Sequence, residues 1–298
     1  MDPLAGTAVE YETLHWDISP AASYVRAAQR QQGIYRAAVS ANIADLTVNL
    51  SSDVLADAEV ASREVTRFDA ELGGEIAPFS SVLLRTESAA SSNIENLTAS
   101  ARVIAEAELP GAKTTANAKV IVANTAAMIA AINLADNIDA YAILAMHQAL
   151  MRDVDPKSAG RWREEQVWIG GGTHGPRGAV FVPPHHNRVE VAIDDLLRFA
   201  QRDDIPVLPQ ISLAHAQFET IHPFTDGNGR TGRALIQAML RHKGSTRNVT
   251  VPVSAGLLTD TESYFAALTA YRDGDPTPIV RRVSEAAVAA VFNGRRAG

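Results

Sequence analysis

The chain has 298 residues with 46% hydrophobic and 20% charged side chains, a soluble globular composition with volume for one large domain or two small ones. A net charge of −7 without basic clusters argues against nucleic acid as a direct partner, and the absence of cysteine excludes disulfides and thiolate metal sites. The first residues lack the basic and apolar regions of a secretory signal, and no apolar run approaches the ~18 residues of a membrane span, so a cytoplasmic protein with no membrane partner is expected.

Residues 1–20, with Pro3 and Pro20, read as an irregular arm. The alanine-rich stretch from Ala21 to about Leu72 predicts helix, with Ile43, Leu46 and Leu50 at spacings of three and four, and Leu55, Val60 and Val65 in a second amphipathic run. Pro78 interrupts the pattern, and a new helix is predicted from about Ser80, with Ser91, Glu95 and Asn96 near its end. Residues 100–113, with Pro110 and Gly111, read as a linker. A helical block then covers about 115–152, its apolar face carrying Ile143, Leu144, Met146, His147 and Leu150.

After a turn at 153–160 come two short β-like runs, 166–169 and 179–182, joined by a glycine-rich segment that predicts a hairpin. Helix returns over 189–200, and again from Pro209 to Pro223 with Ile211, Ala214, Phe218 and Ile221 on one face. Another helix is predicted from Asn228 or Gly229 through Leu240, and two or three more across 252–292. The expectation is a mainly α fold, a helical bundle with one hairpin.

The segment His222-Pro223-Phe224-Thr225-Asp226-Gly227-Asn228-Gly229-Arg230-Thr231-Gly232-Arg233 joins two of these helices. Its glycines let backbone approach a ligand closely, and the helix that follows presents unpaired N–H groups and the positive end of its dipole. Such an end suits an anion. Arg230 and Arg233, three apart, flank that anion with guanidinium forks matched to phosphate oxygens. Asp226 offers one carboxylate for a Mg²⁺ completed by phosphate oxygens and water, and His222 has the ordinary pKa of a general base. Together the residues describe group transfer from a Mg-nucleotide to a hydroxyl, and without further context they would also suit an ordinary helix–turn–helix linker.

The string resembles the Fic family motif, HPFx[D/E]GNGRxxR, at every defined position. The resemblance implies a helical core with a β-hairpin flap and transfer of AMP from ATP to a Ser, Thr or Tyr hydroxyl of a target protein. It implies His222 as the catalytic base and Asp226 as the Mg²⁺ ligand. Gly227, Asn228 and Gly229 would form the anion hole, and Arg230 and Arg233, with Thr231 and Gly232 between them, would hold the polyphosphate. A phosphorylating branch of the family carries lysine where this chain has Gly229, which favours nucleotidyl transfer. Residues 179–182 (Ala179, Val180, Phe181, Val182) look like the flap edge used for target docking, and Tyr264 and Arg272 lie in a stretch similar to the one that closes over the base. On this resemblance 115–285 is the Fic-like core, 1–110 an N-terminal helical region and 286–298 a C-terminal tail.

Ser91, Glu95 and Asn96 resemble the family's inhibitory motif, [S/T]xxxE[G/N]. A glutamate delivered beside Arg233 would pair with it and deny it to the γ-phosphate, so the resting protein is expected to be autoinhibited. Removal of AMP, use of another nucleotide, and a regulatory module that binds ATP without turnover remain alternatives at this level. Self-modification and a homodimer are among the expected associations. His215 and Glu219, one turn apart, read as a pair on a helix surface, and His174, His185 and His186 as polar loop residues.

Overall fold

The computed structural model describes residues 6–16, 33–72, 77–108, 115–171 and 175–297. Two strands open the chain. β1 (Glu10–Trp16) pairs antiparallel with β2 (Gly33–Val39), Glu10 opposite Val39 and Trp16 opposite Gly33. Sequence periodicity had assigned these residues to an irregular arm and a helix. The strands exist through tertiary contacts: Ala37 and Ala38 are buried, the Ala38 amide donates to the Val182 carbonyl at 2.9 Å, and Trp16 packs edge-on against Trp168 and Tyr35. Residues 21–32 of the predicted helix lie outside the described residues.

Residues 40–51 are not helical either, although Ile43, Leu46 and Leu50 have helical spacing. Asp195 takes the amides of both Ile43 (2.6 Å) and Ala44 (3.2 Å), which removes them from any i→i−4 ladder. Helix begins at α1 (Ser52–Leu72), followed by α2 (Ala77–Ile94), with Pro78 in its first turn. The linker-like stretch contains a short helix, α3 (Ala101–Ala107), started by the Ser100 hydroxyl on the Val103 amide. The block at 115–152 is two helices, α4 (Ala116–Asn133) and α5 (Ala140–Met151), because Asp139 caps the second by accepting from the Ala142 amide.

A 3-10 turn (His186–Arg188) leads into α6 (Val189–Ala200), then α7 (Val207–Ile221), α8 (Asn228–His242), α9 (Val253–Leu258), α10 (Thr261–Arg272) and α11 (Thr277–Ala297). α11 continues across the segment expected to be a tail. There Arg295 bonds Glu64 and Glu71 of α1, and Gly294 packs on Phe68 so closely that a Cβ would meet its ring at 2.5 Å. No described helix is long and apolar enough to cross a membrane.

α7 runs through the centre of the core, and every residue from Leu208 to Ile221 is buried. α8 packs beside it and is buried from Thr231 through Leu240. The loop between them therefore hangs from two helices that cannot shift without disturbing close packing.

α2 packs on α4, α8 and α9. It is fastened by polar groups as well as apolar ones. The buried Glu87 carboxyl accepts from the Ser254 amide (2.8 Å), the Ser254 hydroxyl (2.6 Å) and the Gln237 amide nitrogen (3.1 Å). On the opposite side Asn124 donates to the Ser88 carbonyl at 2.9 Å. Burial pushes the Glu87 pKa up to about 7 against the bonds that favour its anion. The folded state then holds the proton more tightly than the unfolded chain, so this stabilisation is full below pH 4.5 and is lost as pH rises through about 7. Glu87→Gln is expected to flatten the decline of Tm between about pH 5 and pH 8. Equal slopes for the two proteins in thermal melts would sink this assignment.

Candidate active site

α7 ends at Ile221, and His222 caps it in a left-handed conformation (φ 50°, ψ 61°), its amide still donating to the Phe218 carbonyl. A non-glycine residue adopts this geometry only where its surroundings hold it there. Arg163 supplies part of that hold. Its buried guanidinium donates from Nε to the His222 carbonyl (2.8 Å) and from Nη2 to the carbonyls of Pro184 (2.5 Å) and Ile221 (3.3 Å). Burial, with Arg163 and Arg272 nearby, lowers the His222 pKa to about 3, so the imidazole is neutral at pH 7.

The loop is closed by the side chain of Asn228, which accepts from the Phe224 amide (2.8 Å) and returns a bond to the Phe224 carbonyl (2.9 Å). Below it the His147 ring stacks on Phe224, 3.6 Å between centroids and 4° from parallel. The Gly160 amide donates to His147 Nδ1 at 3.0 Å, leaving Nε2 to donate to the Asp226 carbonyl at 3.1 Å. Gly227 turns the chain with φ 77°, and the first bond of α8 runs from the Thr231 amide to the Gly227 carbonyl. The amides of Asn228, Gly229 and Arg230 precede that bond and are the open end of the helix. Arg230 donates to Asp226 Oδ1 at 3.3 Å, while its buried Nε and Nη1 have no partner.

Two cavities adjoin here. One of about 280 Å³ follows the loop and the start of α8 from Thr225 to Arg230. The other, about 450 Å³, runs under Trp168, Ile169 and Phe181 to Tyr264 and Arg272 of α10. Glu95, His222 and Gly229 line both, so the Glu95 side chain stands between two chambers of one trough. Its Oε1 accepts from Arg233 Nη2 at 2.8 Å. Arg233 is 1% exposed and also donates to the Ser91 hydroxyl (2.9 Å) and carbonyl (2.7 Å). Glu95 reaches this position because α2 ends with Asn96 in the left-handed region (φ 59°), which asparagine tolerates better than most residues, and the Leu97 amide turns back to the Ser92 carbonyl.

The larger chamber carries a second polar set. Glu219 is buried, its Oε1 has no hydrogen-bond partner, and burial pushes its pKa up to about 7. Arg272 Nη2 donates to the Glu219 carbonyl (3.3 Å), and the same guanidinium lies 4.0 Å over the Phe181 ring. His215 and Glu219 are thus core residues rather than a surface pair: α7 is buried on all sides, and His215 Nε2 lies 2.7 Å from the Tyr264 hydroxyl.

The chain in this region is similar to known proteins. A Fic/DOC family model matches residues 137–240, from the start of α5 to near the end of α8. The chain is 31% identical over 159 residues to protein adenylyltransferase fic-1 of Caenorhabditis elegans, covering 52% of this chain and 28% of that protein. It is 32% identical over 146 residues to protein adenylyltransferase Fic of Drosophila willistoni, covering 48% and 26%. The chain therefore spans about a quarter of the length of these curated relatives. A Fic family protein from Desulfovibrio desulfuricans has the same fold, with a TM-score of 0.68 and 24% identity over 84% of this chain and 76% of that one. Residues 134–508 of C. elegans Fic-1 match with a TM-score of 0.59 and 23% identity, over 82% and 73%.

Within and around this matched stretch most of the expected residues converge, and some do not. Thr231 and Gly232 line neither cavity. Gly232 faces α7, where a Cβ would meet Glu219 Oε1 at 2.5 Å and Phe218 at 3.0 Å. The expected hairpin at 166–169 and 179–182 is reduced to a single bridge, Ile169 to Phe181, and the only named sheet among the described residues is β1–β2. Gly170, Gly171 and Gly178 all have positive φ and set the chain turning rather than pairing. Val180 and Phe181 border the larger chamber, whereas Ala179 and Val182 face a separate cleft beside β2. His174 lies outside the described residues, and His185 and His186 lie ring to ring, 4.0 Å apart. No group of three or more acidic or imidazole side chains among the described residues could hold a metal. Asp226, exposed and alone, suits only a cation that brings other ligands with it.

Sequence reasoning missed Arg163 and the cradle under the loop. The signal for Arg163 is tertiary: three carbonyls from two distant segments, with that of nearby Glu165, converge on one guanidinium. Arg163→Met is expected to cost about 3 kcal/mol of stability by stranding buried carbonyls, with Arg163→Lys recovering only part. Urea unfolding checks this, and a loss below about 1 kcal/mol would refute it.

Proposed function

We propose that this chain is a protein adenylyltransferase that moves AMP from ATP to a Ser, Thr or Tyr hydroxyl of a target protein and is held at rest by Glu95. The observation that carries the proposal is the meeting of a neutral His222 imidazole with the open N-terminus of α8 in one trough. The adenylyltransferase relatives, similar over half of the chain, support the same reading.

The α- and β-phosphates lie against the amides of Asn228, Gly229 and Arg230, where the helix end and the free donors of Arg230 meet negative charge. The base occupies the larger chamber beneath Phe181 and Trp168. His222 takes the proton of the target hydroxyl as its oxygen bonds the α-phosphorus, and the bond to the bridging oxygen breaks to release pyrophosphate. Mg²⁺ arriving with the nucleotide and held by Asp226 would neutralise charge on the phosphates. The target segment lies along 179–182 and presents its hydroxyl toward His222.

At rest, the Glu95 carboxylate occupies the space against Gly229 and holds Arg233, which would otherwise be available to the γ-phosphate. Transfer of label from α-labelled ATP to protein is expected to rise on the order of tenfold or more in Glu95→Gly, and to fall by at least about 10² when His222→Ala is added. Equal labelling by wild type and Glu95→Gly would remove the inhibitory role, and labelling that survives His222→Ala would remove the base. Tight ATP binding with no transfer in any variant would favour a regulatory binding module.

A further inference from the structure

Glu219 is an acid buried in the wall of the larger chamber with no bond to account for it. An unpaired polar atom in a protein interior costs free energy, so its presence calls for a partner or a role. It is not isolated from the site. One side of Glu219 touches the flap end of the chamber, since its carbonyl accepts from Arg272, whose guanidinium covers Phe181. Its Oε1 packs on Gly232 of α8, next to Arg233, whose guanidinium lines the same chamber. Arg272 Nε, on the same wall, is also buried without a partner.

A nucleotide spanning this chamber places a triphosphate at one end and a base at the other. The part that must pass Glu219 is the sugar. We infer that Glu219, with Arg272 beside it, binds the ribose hydroxyls and makes the site selective for ribonucleotides over deoxyribonucleotides. The chemistry matches: a hydroxyl both donates and accepts, and a buried carboxyl and an arginine Nε together offer both roles. An acidic side chain on a ribose hydroxyl is a known solution in dinucleotide-binding folds. Ile169, Phe181, Phe265 and Leu268 give the chamber an apolar stretch for the base, and the polar pair lies between that stretch and Arg233.

This inference rests on the nucleotide reading of the trough, and the test separates the two. Binding of ATP, 2′-deoxy-ATP and 3′-deoxy-ATP is measured by calorimetry in Glu95→Gly, and again in Glu95→Gly with Glu219→Ala or Glu219→Gln. In the Glu219 parent, at least one deoxy analogue is expected to bind about tenfold more weakly than ATP, because its loss leaves a buried partner unpaired. In Glu219→Ala that ratio is expected to fall to near one, with ATP itself weakened. A structural role for Glu219 would weaken all three nucleotides alike and preserve their ratio. Equal affinities for all three in the Glu219 parent, or the same ratio with and without Glu219, overturn the inference while leaving ATP binding intact. Absence of ATP binding to Glu95→Gly overturns the nucleotide reading itself and the inference with it. Glu219→Gln keeps the volume and one acceptor, so it carries the comparison if Glu219→Ala does not fold.

Discussion

The structure turns on a guanidinium with almost no access to water. Arg233 is 1% exposed, and a cation so placed is tolerable only with hydrogen-bonding partners and an anion beside it. α8 brings the arginine, α2 brings both the Ser91 oxygens and the Glu95 carboxylate, and neither helix satisfies the charge alone. Glu219 lies in the same field, and burial raises its pKa to about 7, so near neutral pH it is only partly ionised. In the proposed reading, polyphosphate and Glu95 are rivals for one positive charge. Substrate affinity and resting activity are then set by a single pairing and by whatever docks α2.

The reacting groups are positioned by packing that has little to do with chemistry. α7 is buried throughout, so the position of His222 follows from the core. Asn228 imitates a peptide across the loop, His147 and Trp162 stack against Phe224, and Arg163 ties the end of α7 to the segments on either side of the flap. A loop braced in this way keeps its geometry before any ligand arrives, which is the condition under which fixed dipoles stabilise developing charge most effectively.

How much of this was legible in the sequence depended on whether the information was local. The run from His222 to Arg233 is contiguous, and it placed the loop, the helix start and the two arginines on the first turns of α8 without any coordinates. Glu95 was legible as a pattern, and the left-handed Asn96 explains why the pattern ends as it does. The failures share a cause in long-range capture. Asp195 holds Ile43 and Ala44 out of helix from over 150 residues away, and β2 is a strand because β1 and Val182 take its backbone bonds. Arg163 carries no motif, because its partners are carbonyl oxygens, which every residue possesses. Glu219 was visible as a residue, but its burial was not, since the helical periodicity of α7 gives no polar face on which to place it.

Gly229 lies against the Glu95 carboxylate, and any Cβ at that position would overlap its Oε1. The contact joins two points of the chain more than 130 residues apart in a single steric condition. A side chain introduced at 229 would displace the tip of the glutamate from the place it now holds beside Arg233.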